Sequence, residues 1–285
     1  MKKILHLSKF STPNSGGIER VVSNIINYMD DDYKHIVIAF KNKCAKNDNL
    51  YKKNVLMLCK KHILTIFSQP LNVHYLLTAR KYMNHVDLIH IHAPNVIAYL
   101  AIMLFRSKTK YIVHWHSDIL KNKFLKGLIN YFEQYILKNA SSIIVTSKKY
   151  AESSISLYNH ASKINVLPIG VPREKSKNFV KENSPYLNIY NKHKDKKIVL
   201  YVGRFVKYKS LSKFVQSSVY LTENAIIYLV GDGPERKNIE NMIKKYNLKD
   251  RVIILKKIND EELEYLYSKA RVFCLPSETK SEAFG

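Results

Sequence analysis

Cysteine is scarce and unpatterned in this chain: Cys44, Cys59 and Cys274 form an odd set, and none belongs to a C-x-x-C pair. A disulfide framework is excluded, no zinc signature is present, and a reducing cytosol fits best. No stretch approaches about 18 uninterrupted apolar residues, so no membrane span is expected. The start, MKKILHLSKF, is basic and then apolar, but the apolar run breaks within a few residues and no small-residue cleavage site follows. It is expected to form a first strand rather than a signal peptide. There is no G-x-S-x-G elbow, no helix-turn-helix, zinc-finger or RRM signature, and no repeat of fixed period. Acidic residues are also few, 23 against 47 Lys and Arg in 285 residues, for a net charge of +24. Such a surplus calls for an anionic partner: nucleic acid, an anionic bilayer surface or phosphorylated substrates. With no recognition motif for it, nucleic acid is not expected. The excess leans toward the N-terminal half, with 23 basic and 8 acidic residues through Tyr150 and 24 against 15 thereafter.

What is present is alternation. Ile4–Leu7 is expected as a strand, Ser8–Gly17 (SKFSTPNSGG) as a turn-rich loop, and Ile18–Met29 as a helix with Val21, Val22, Ile25 and Ile26 at helical spacing and Glu19 in its first turn. Short apolar runs recur at 35–40, 54–58, 87–91, 110–114, 142–145 and 164–167, with helical segments such as 95–105 and 124–137 between them. This pattern predicts an α/β fold, a largely parallel sheet covered by helices. Residues 1–170 form the first expected domain. Residues 171–196, rich in Pro, Lys and Asn, read as a linker. A second alternation occupies 197–285, with strands at 198–202, 226–230, 252–255 and 272–275 and helices near 211–220, 235–246 and 260–268.

Chemistry is expected where strands end and helices begin, because free backbone N–H groups and the helix dipole converge there. Gly203-Arg204 closes the first strand of the second domain, with Lys209 following in GRFVKYKS: a guanidinium and an ammonium suited to a diphosphate, or a solvated basic loop. Gly231-Asp232-Gly233-Pro234 ends the next strand, allowing close backbone approach to a ligand or an ordinary tight turn. His90 and His92, and His114 and His116, lie two apart, so each pair points to one face. Four histidines invite a zinc reading, but no other ligand type accompanies them at metal-binding spacing, and imidazoles at a ligand edge also bind hydroxyls or phosphates. His116-Ser117-Asp118 also suggests a nucleophile system, which the absent elbow disfavours. The basic amphipathic stretch 121–132 (KNKFLKGLINYF) fits either an anionic membrane surface or an ordinary core-facing helix. In the last fifteen residues, 272–275 is a short strand stopped by Pro276. A polar turn then leads to Glu282, Ala283, Phe284 and Gly285, where a helix should start.

Taken in order, SGGIER, HWHSDIL, GRFVKYK, VGDGP and LPSETKSEAFG resemble the retaining glycosyltransferases of family 4, whose GT-B architecture is two facing Rossmann-like domains. The likeness covers nearly all of the chain and is nearest to bacterial mannosyl- and rhamnosyltransferase-like enzymes of surface polysaccharide synthesis. It implies transfer of a hexose, with mannose the suggested sugar, from a GDP- or UDP-linked donor to a lipid-linked saccharide. No metal and no separate cofactor would be needed, and the protein would sit at the cytoplasmic face of an anionic inner membrane. By the same resemblance, Arg204 and Lys209 hold the donor diphosphate and Gly17 brings backbone close to the donor. His116 lies beside the transferred sugar, Glu282 contacts sugar hydroxyls, and the backbone of Ala283, Phe284 and Gly285 meets sugar and phosphates. Ser210 stands where the family usually has glycine. The second glutamate of the family's pair would fall beyond Gly285, which implies a truncated donor domain and little transfer by this form. The alternative is a non-catalytic module that uses the N-terminal domain to bind acceptor, membrane or a partner.

Overall fold

The computed structural model describes residues 1–11, 17–40, 55–60, 64–66, 69–119, 126–170, 190–256 and 258–278. The chain divides after Pro172 into two compact units.

The first unit runs β1 (Lys2–Phe10), α1 (Gly17–Tyr28), β2 (Tyr33–Phe40), β3 (Val55–Lys60), a small antiparallel hairpin β4 (Leu64–Ile66) and β5 (Gln69–Leu71), and α2 (Val73–Met83). It continues with β6 (Leu88–Ala93), α3 (Val96–Phe105), β7 (Tyr111–Trp115), α4 (Lys126–Asn139), β8 (Ser142–Val145), α5 (Lys148–Ser153) and β9 (Ile164–Val166). Seven strands form one sheet in the order β3-β2-β1-β6-β7-β8-β9, and every pairing is parallel. The order reverses between β1 and β6, which is the switch point of a Rossmann-like sheet.

Period-two alternation divides this sheet into two unlike faces. Leu5 and Leu7, Ile36, Ile38 and Phe40, Ile89 and Ile91, and Val113 and Trp115 point into one apolar core that α2, α3 and α4 cover. On the opposite face Val37 and Ala39 pack on Val22 and Ile26 of α1. The intervening positions of that face are His6, His35, His90, His92 and His114, all buried. Imidazole thus replaces hydrocarbon in the middle of the sheet.

The second unit begins, among the described residues, with Tyr190. The expected linker lies outside the described residues from 171 to 189, whereas Tyr190 packs on the second core and the buried His193 ring shares a 3.1 Å hydrogen bond with the Tyr228 hydroxyl. Then follow β10 (Lys197–Val202), a 3₁₀ turn (Lys207–Lys209), α6 (Leu211–Ser217), β11 (Ala225–Val230), α7 (Arg236–Lys245), β12 (Val252–Leu255), α8 (Asp260–Lys269) and β13 (Val272–Phe273). The four strands are parallel in the order β12-β11-β10-β13. Both faces are apolar, as a parallel sheet covered by helices requires. Tyr201, Ile227 and Leu229 enter the core beneath α6 and α7, while Ile198, Leu200, Ile226 and Tyr228 enter the one beneath α8. At the start of α8, Asn259 and Glu262 form a reciprocal capping box that satisfies two otherwise orphaned N–H groups. The strand expected at 272–275 pairs only through Val272 and Phe273; beyond them Cys274 still donates its N–H to the Leu200 carbonyl at 2.8 Å.

Candidate functional site

At the carboxyl edge of the second sheet, the loops leaving β10 and β11 are built as one object. Gly203 N–H donates to the Val230 carbonyl at 2.9 Å, Phe205 N–H to the Asp232 carbonyl at 2.9 Å, and Glu235 N–H to the Phe205 carbonyl at 3.0 Å. The glycines of VGDGP make that approach possible. A Cβ on Gly231, whose φ is +142°, would fall onto the Gly203 carbonyl oxygen, and one on Gly233 onto that of Phe205. Phe205 is fully buried beneath the pair, while Arg204 beside it is exposed at the edge. Arg236, in the first turn of α7, pairs with Asp232 at 3.1 Å and with Glu240 at 3.0 Å. The Gly233 N–H and the Arg236 guanidinium hold the Asp232 carboxyl below the usual carboxylate range.

Lys209 ends the 3₁₀ turn after Arg204, its N–H bonded to the Val206 carbonyl at 3.0 Å. The next residue, Ser210, has φ 50° and ψ 33°. That is the left-handed conformation which glycine adopts freely and other residues adopt at a cost, so the glycine usual there in the resembled family has a backbone reason. The segment after β13 returns to this turn: Glu278 N–H donates to the Tyr208 carbonyl at 3.2 Å, and its carboxylate meets Lys213 at 2.6 Å. Arg204, Lys209 and the approach to the final motif therefore share one edge of one unit. Glu282, Ala283, Phe284 and Gly285 lie outside the described residues.

In the first unit, Gly17 is the exposed first residue of α1, and a Cβ there would meet nothing within 4 Å. Packing within the described residues does not require glycine at this helix N-terminus. His116 follows β7, its N–H bonded to the Ala93 carbonyl at 3.0 Å. Its ring opens a line of imidazoles. His116 Nε2 and His92 Nδ1 are 3.2 Å apart, His92 Nε2 and His6 Nδ1 3.2 Å, and His6 Nε2 and His35 Nδ1 3.0 Å. His90 and His114 stack against this line, at 4.2 Å from His92 and 4.1 Å from His116. Neither His114 nitrogen has a hydrogen-bond partner among the described residues, nor does His90 Nε2.

Burial sets the charge of the cluster. Desolvation, reinforced by mutual repulsion among the imidazoles, lowers His90 and His92 well below the ordinary histidine value, and it lowers His116 likewise. It brings His6 to about 3 and His114 to about 4. Ligand atoms of His6, His90 and His92 lie within 4.8 Å of one another, as do those of His92, His114 and His116. An imidazole lone pair lies in its ring plane, and the His90–His92 and His114–His116 rings are stacked 26° and 20° from parallel. As they stand, those stacked pairs do not converge on one ion; the hydrogen bonding runs instead along His35, His6, His92 and His116.

The His-Ser-Asp sequence at 116–118 makes no triad. Asp118 Oδ1 instead accepts from Trp115 Nε1 at 2.8 Å and from Ser154 Oγ at 2.7 Å, which ties the loop after β7 to the end of α5. Glu133 of α4 is buried, accepts only from Ser156 among the described residues, and is pushed up to about 7, chiefly by burial. Of the histidines here, His90, His92, His114 and His116 stand out in sequence as paired motifs, whereas His6 and His35 do not. The available signal for those two is their parity within β1 and β2.

A family model described as Glycosyltransferase Family 4 matches residues 15–175, and one described as Glycosyl transferases group 1 matches residues 184–285. O-antigen chain mannosyltransferase C of Escherichia coli is 24% identical over 99% of this chain and 75% of its own length. The D-rhamnosyltransferase WbpZ of Pseudomonas aeruginosa is 23% identical over 72% of this chain and 52% of its own. Among solved structures, HepE of Anabaena in complex with UDP and glucose matches with a TM-score of 0.72 at 18% identity, over 99% of this chain and 76% of that one, a likeness of fold. With two Rossmann-like units of the GT-B fold and a family match over more than half its length, the chain belongs to Glycosyltransferase Family 4.

Proposed function

We propose that this protein transfers a hexose from a nucleoside diphosphate sugar to a lipid-linked saccharide with retention of anomeric configuration. The observation that carries the reading is the interlocked pair of strand-end loops in the second unit. They fix a rigid edge from which Arg204 and Lys209 extend. A departing diphosphate develops negative charge, and a planar guanidinium with a nearby ammonium can neutralise it without a metal. His116 would face the sugar, Gly17 would let backbone approach the donor, and Glu282 with the backbone of Ala283, Phe284 and Gly285 would hold sugar hydroxyls and phosphates. The relatives support a hexose, with mannose favoured by the O-antigen enzyme's name; a UDP-linked donor is favoured by the HepE complex, and GDP is the alternative the sequence resemblance offers.

Charge and surface support a membrane-proximal acceptor. The N-terminal half carries most of the positive excess, and α4 leaves Leu128 and Tyr131 exposed, 52% and 60%. No described helix is long and apolar enough to cross a membrane. A peripheral site at the cytoplasmic face of an anionic inner membrane fits these features.

Calorimetric titration with GDP-mannose, UDP-glucose and UDP tests the donor reading. One of the three is expected to bind, and Arg204→Ala or Lys209→Ala should each weaken it by roughly 10- to 100-fold, the worth of a charge-assisted hydrogen bond. Binding that both substitutions leave unchanged would move the diphosphate elsewhere and sink this assignment.

A further inference from the structure

Four of the buried histidines are joined end to end. The links are His35 Nδ1 to His6 Nε2, His6 Nδ1 to His92 Nε2, and His92 Nδ1 to His116 Nε2, at 3.0, 3.2 and 3.2 Å. They cross four neighbouring strands in sheet order, β2, β1, β6 and β7, ending just past β7. Every link joins the Nδ1 of one ring to the Nε2 of the next. All four rings are at most 7% exposed, and burial lowers each below the ordinary histidine pKa, so near neutrality each carries one ring proton.

A neutral imidazole has one N–H donor and one acceptor nitrogen. If His35 donates from Nδ1, His6 must accept at Nε2 and so carries its proton on Nδ1; the same follows in turn for His92 and His116. If His116 donates from Nε2, the reverse order places every proton on Nε2. Any mixture puts two donors or two acceptors face to face in a buried site, where the spoiled link has no replacement partner among the four rings. The two uniform arrangements differ at the free end. In the first, His116 Nδ1 is a donor; in the second, it is an acceptor.

We propose that His35, His6, His92 and His116 act as one tautomer-coupled chain, in which the three inner residues position the proton of His116. The chain thereby sets whether His116 Nδ1 donates to, or accepts from, a hydroxyl of the bound sugar. His92, His6 and His35 are positioning residues, since they reach the substrate only through His116. The functional half of this inference rests on the reading that His116 faces the sugar; the tautomer coupling does not. His90 and His114 stack on the chain without entering it.

Long-range ¹H–¹⁵N spectra of the histidine-labelled full chain at pH 7.5 read the tautomer of each ring directly. His6, His35, His92 and His116 are expected to share one tautomer, with His90 and His114 free to differ. Titration with the nucleotide sugar that binds in calorimetry should then move all four sets of resonances together. In His6→Phe the ligand response should persist at His116 and His92 but vanish at His35. Should that variant not fold, His35→Phe, altered only at the chain's end, should leave His6, His92 and His116 sharing a tautomer. Mixed tautomers among the four in the unsubstituted protein would overturn the coupling. So would a ligand response confined to His116. If no ligand perturbs any of the four while the uniform tautomer is seen, the coupling stands and the placement of His116 at the sugar fails.

Discussion

Acid should destabilise the first unit well before it reaches ordinary carboxylates, and the histidine face sets the size of the effect. The native pKa of His6 is about 3 and that of His114 about 4, against 6.5 for an unperturbed imidazole. A base depressed in this way binds its proton in the unfolded state first. Its stabilising contribution is therefore complete above about pH 6.5 and is lost as pH falls toward the native value. Between pH 7 and pH 5 each of these two groups removes about 2 kcal/mol, or about 4 together. Glu133 acts in the opposite sense. Its carboxyl is raised from 4.5 to about 7, so its contribution is full below about pH 4.5 and is lost as pH rises through 7. Over the same interval it restores about 2 kcal/mol. His90, His92 and His116 are lowered by the same burial and add to the loss. The net drop is at least about 2 kcal/mol, a large share of a typical total of about 5 to 15. For a unit of this size that is a fall in Tm of about 4 °C or more. Trp115 makes the assay specific, since it is the chain's one tryptophan and lies fully buried in β7 between His114 and His116. Its fluorescence during thermal or urea unfolding reports the first unit. His114→Phe keeps a ring in the stack and removes an imidazole that has no hydrogen bond among the described residues, and it should flatten the pH dependence by about 1 kcal/mol per pH unit. A Trp115 midpoint that does not move between pH 7 and pH 5 would refute the reasoning.

Three further outcomes follow from particular contacts. Glu133→Gln should stabilise the protein by about 2 kcal/mol more at pH 8 than at pH 5, because the wild-type carboxylate is charged and buried only at the higher pH; equal effects at both would contradict the raised pKa. Gly231→Ala drives a Cβ into the Gly203 carbonyl, and should cost more than about 3 kcal/mol in the second unit. Nucleotide-sugar binding should be lost while the Trp115 transition stays put. Ser210→Gly releases a left-handed serine and should raise the second unit's calorimetric midpoint by an amount worth about 0.5 to 1 kcal/mol, less whatever the Ser210 hydrogen bond to Glu278 contributes. A lowered midpoint would show that the hydroxyl matters more than the backbone.

Much of the architecture is legible because a parallel sheet writes itself as short apolar runs. The strands at 226–230 and 252–255 fall within a residue of their expected bounds: both are apolar runs bounded by turn chemistry, the first buried throughout and the second, at the sheet edge, buried at Val252 and Leu255. Helix α2 is harder to see: in VHYLLTARKYM only Tyr75, Ala79 and Met83 are buried, a single row four residues apart among exposed Val73 and Leu77. The edge strand β13 is shorter than its apolar run because it pairs on one side only, and only at Val272 and Phe273. Arg204 and Lys209 are recognisable from residue type next to a strand end. What holds their loops is not, because it depends on the carbonyls of Gly203 and Phe205 meeting Gly231 and Gly233, 28 residues further along the chain in each case. The histidine face divides in the same way. His-x-His is visible within one strand, while the joining of His6 and His35 to it depends on register between strands, which local spacing does not encode.

The claim on which the functional reading depends is that a nucleoside diphosphate sits at the carboxyl edge of β10 and β11. Hydrogen–deuterium exchange of the full chain, with and without saturating GDP-mannose or UDP-glucose, tests it most directly. Protection is expected in peptides covering Gly203–Ser210 and Gly231–Glu235, and it should disappear in the Arg204→Ala, Lys209→Ala double variant. Protection confined to the first unit, or loops that exchange identically with saturating donor present, would contradict it.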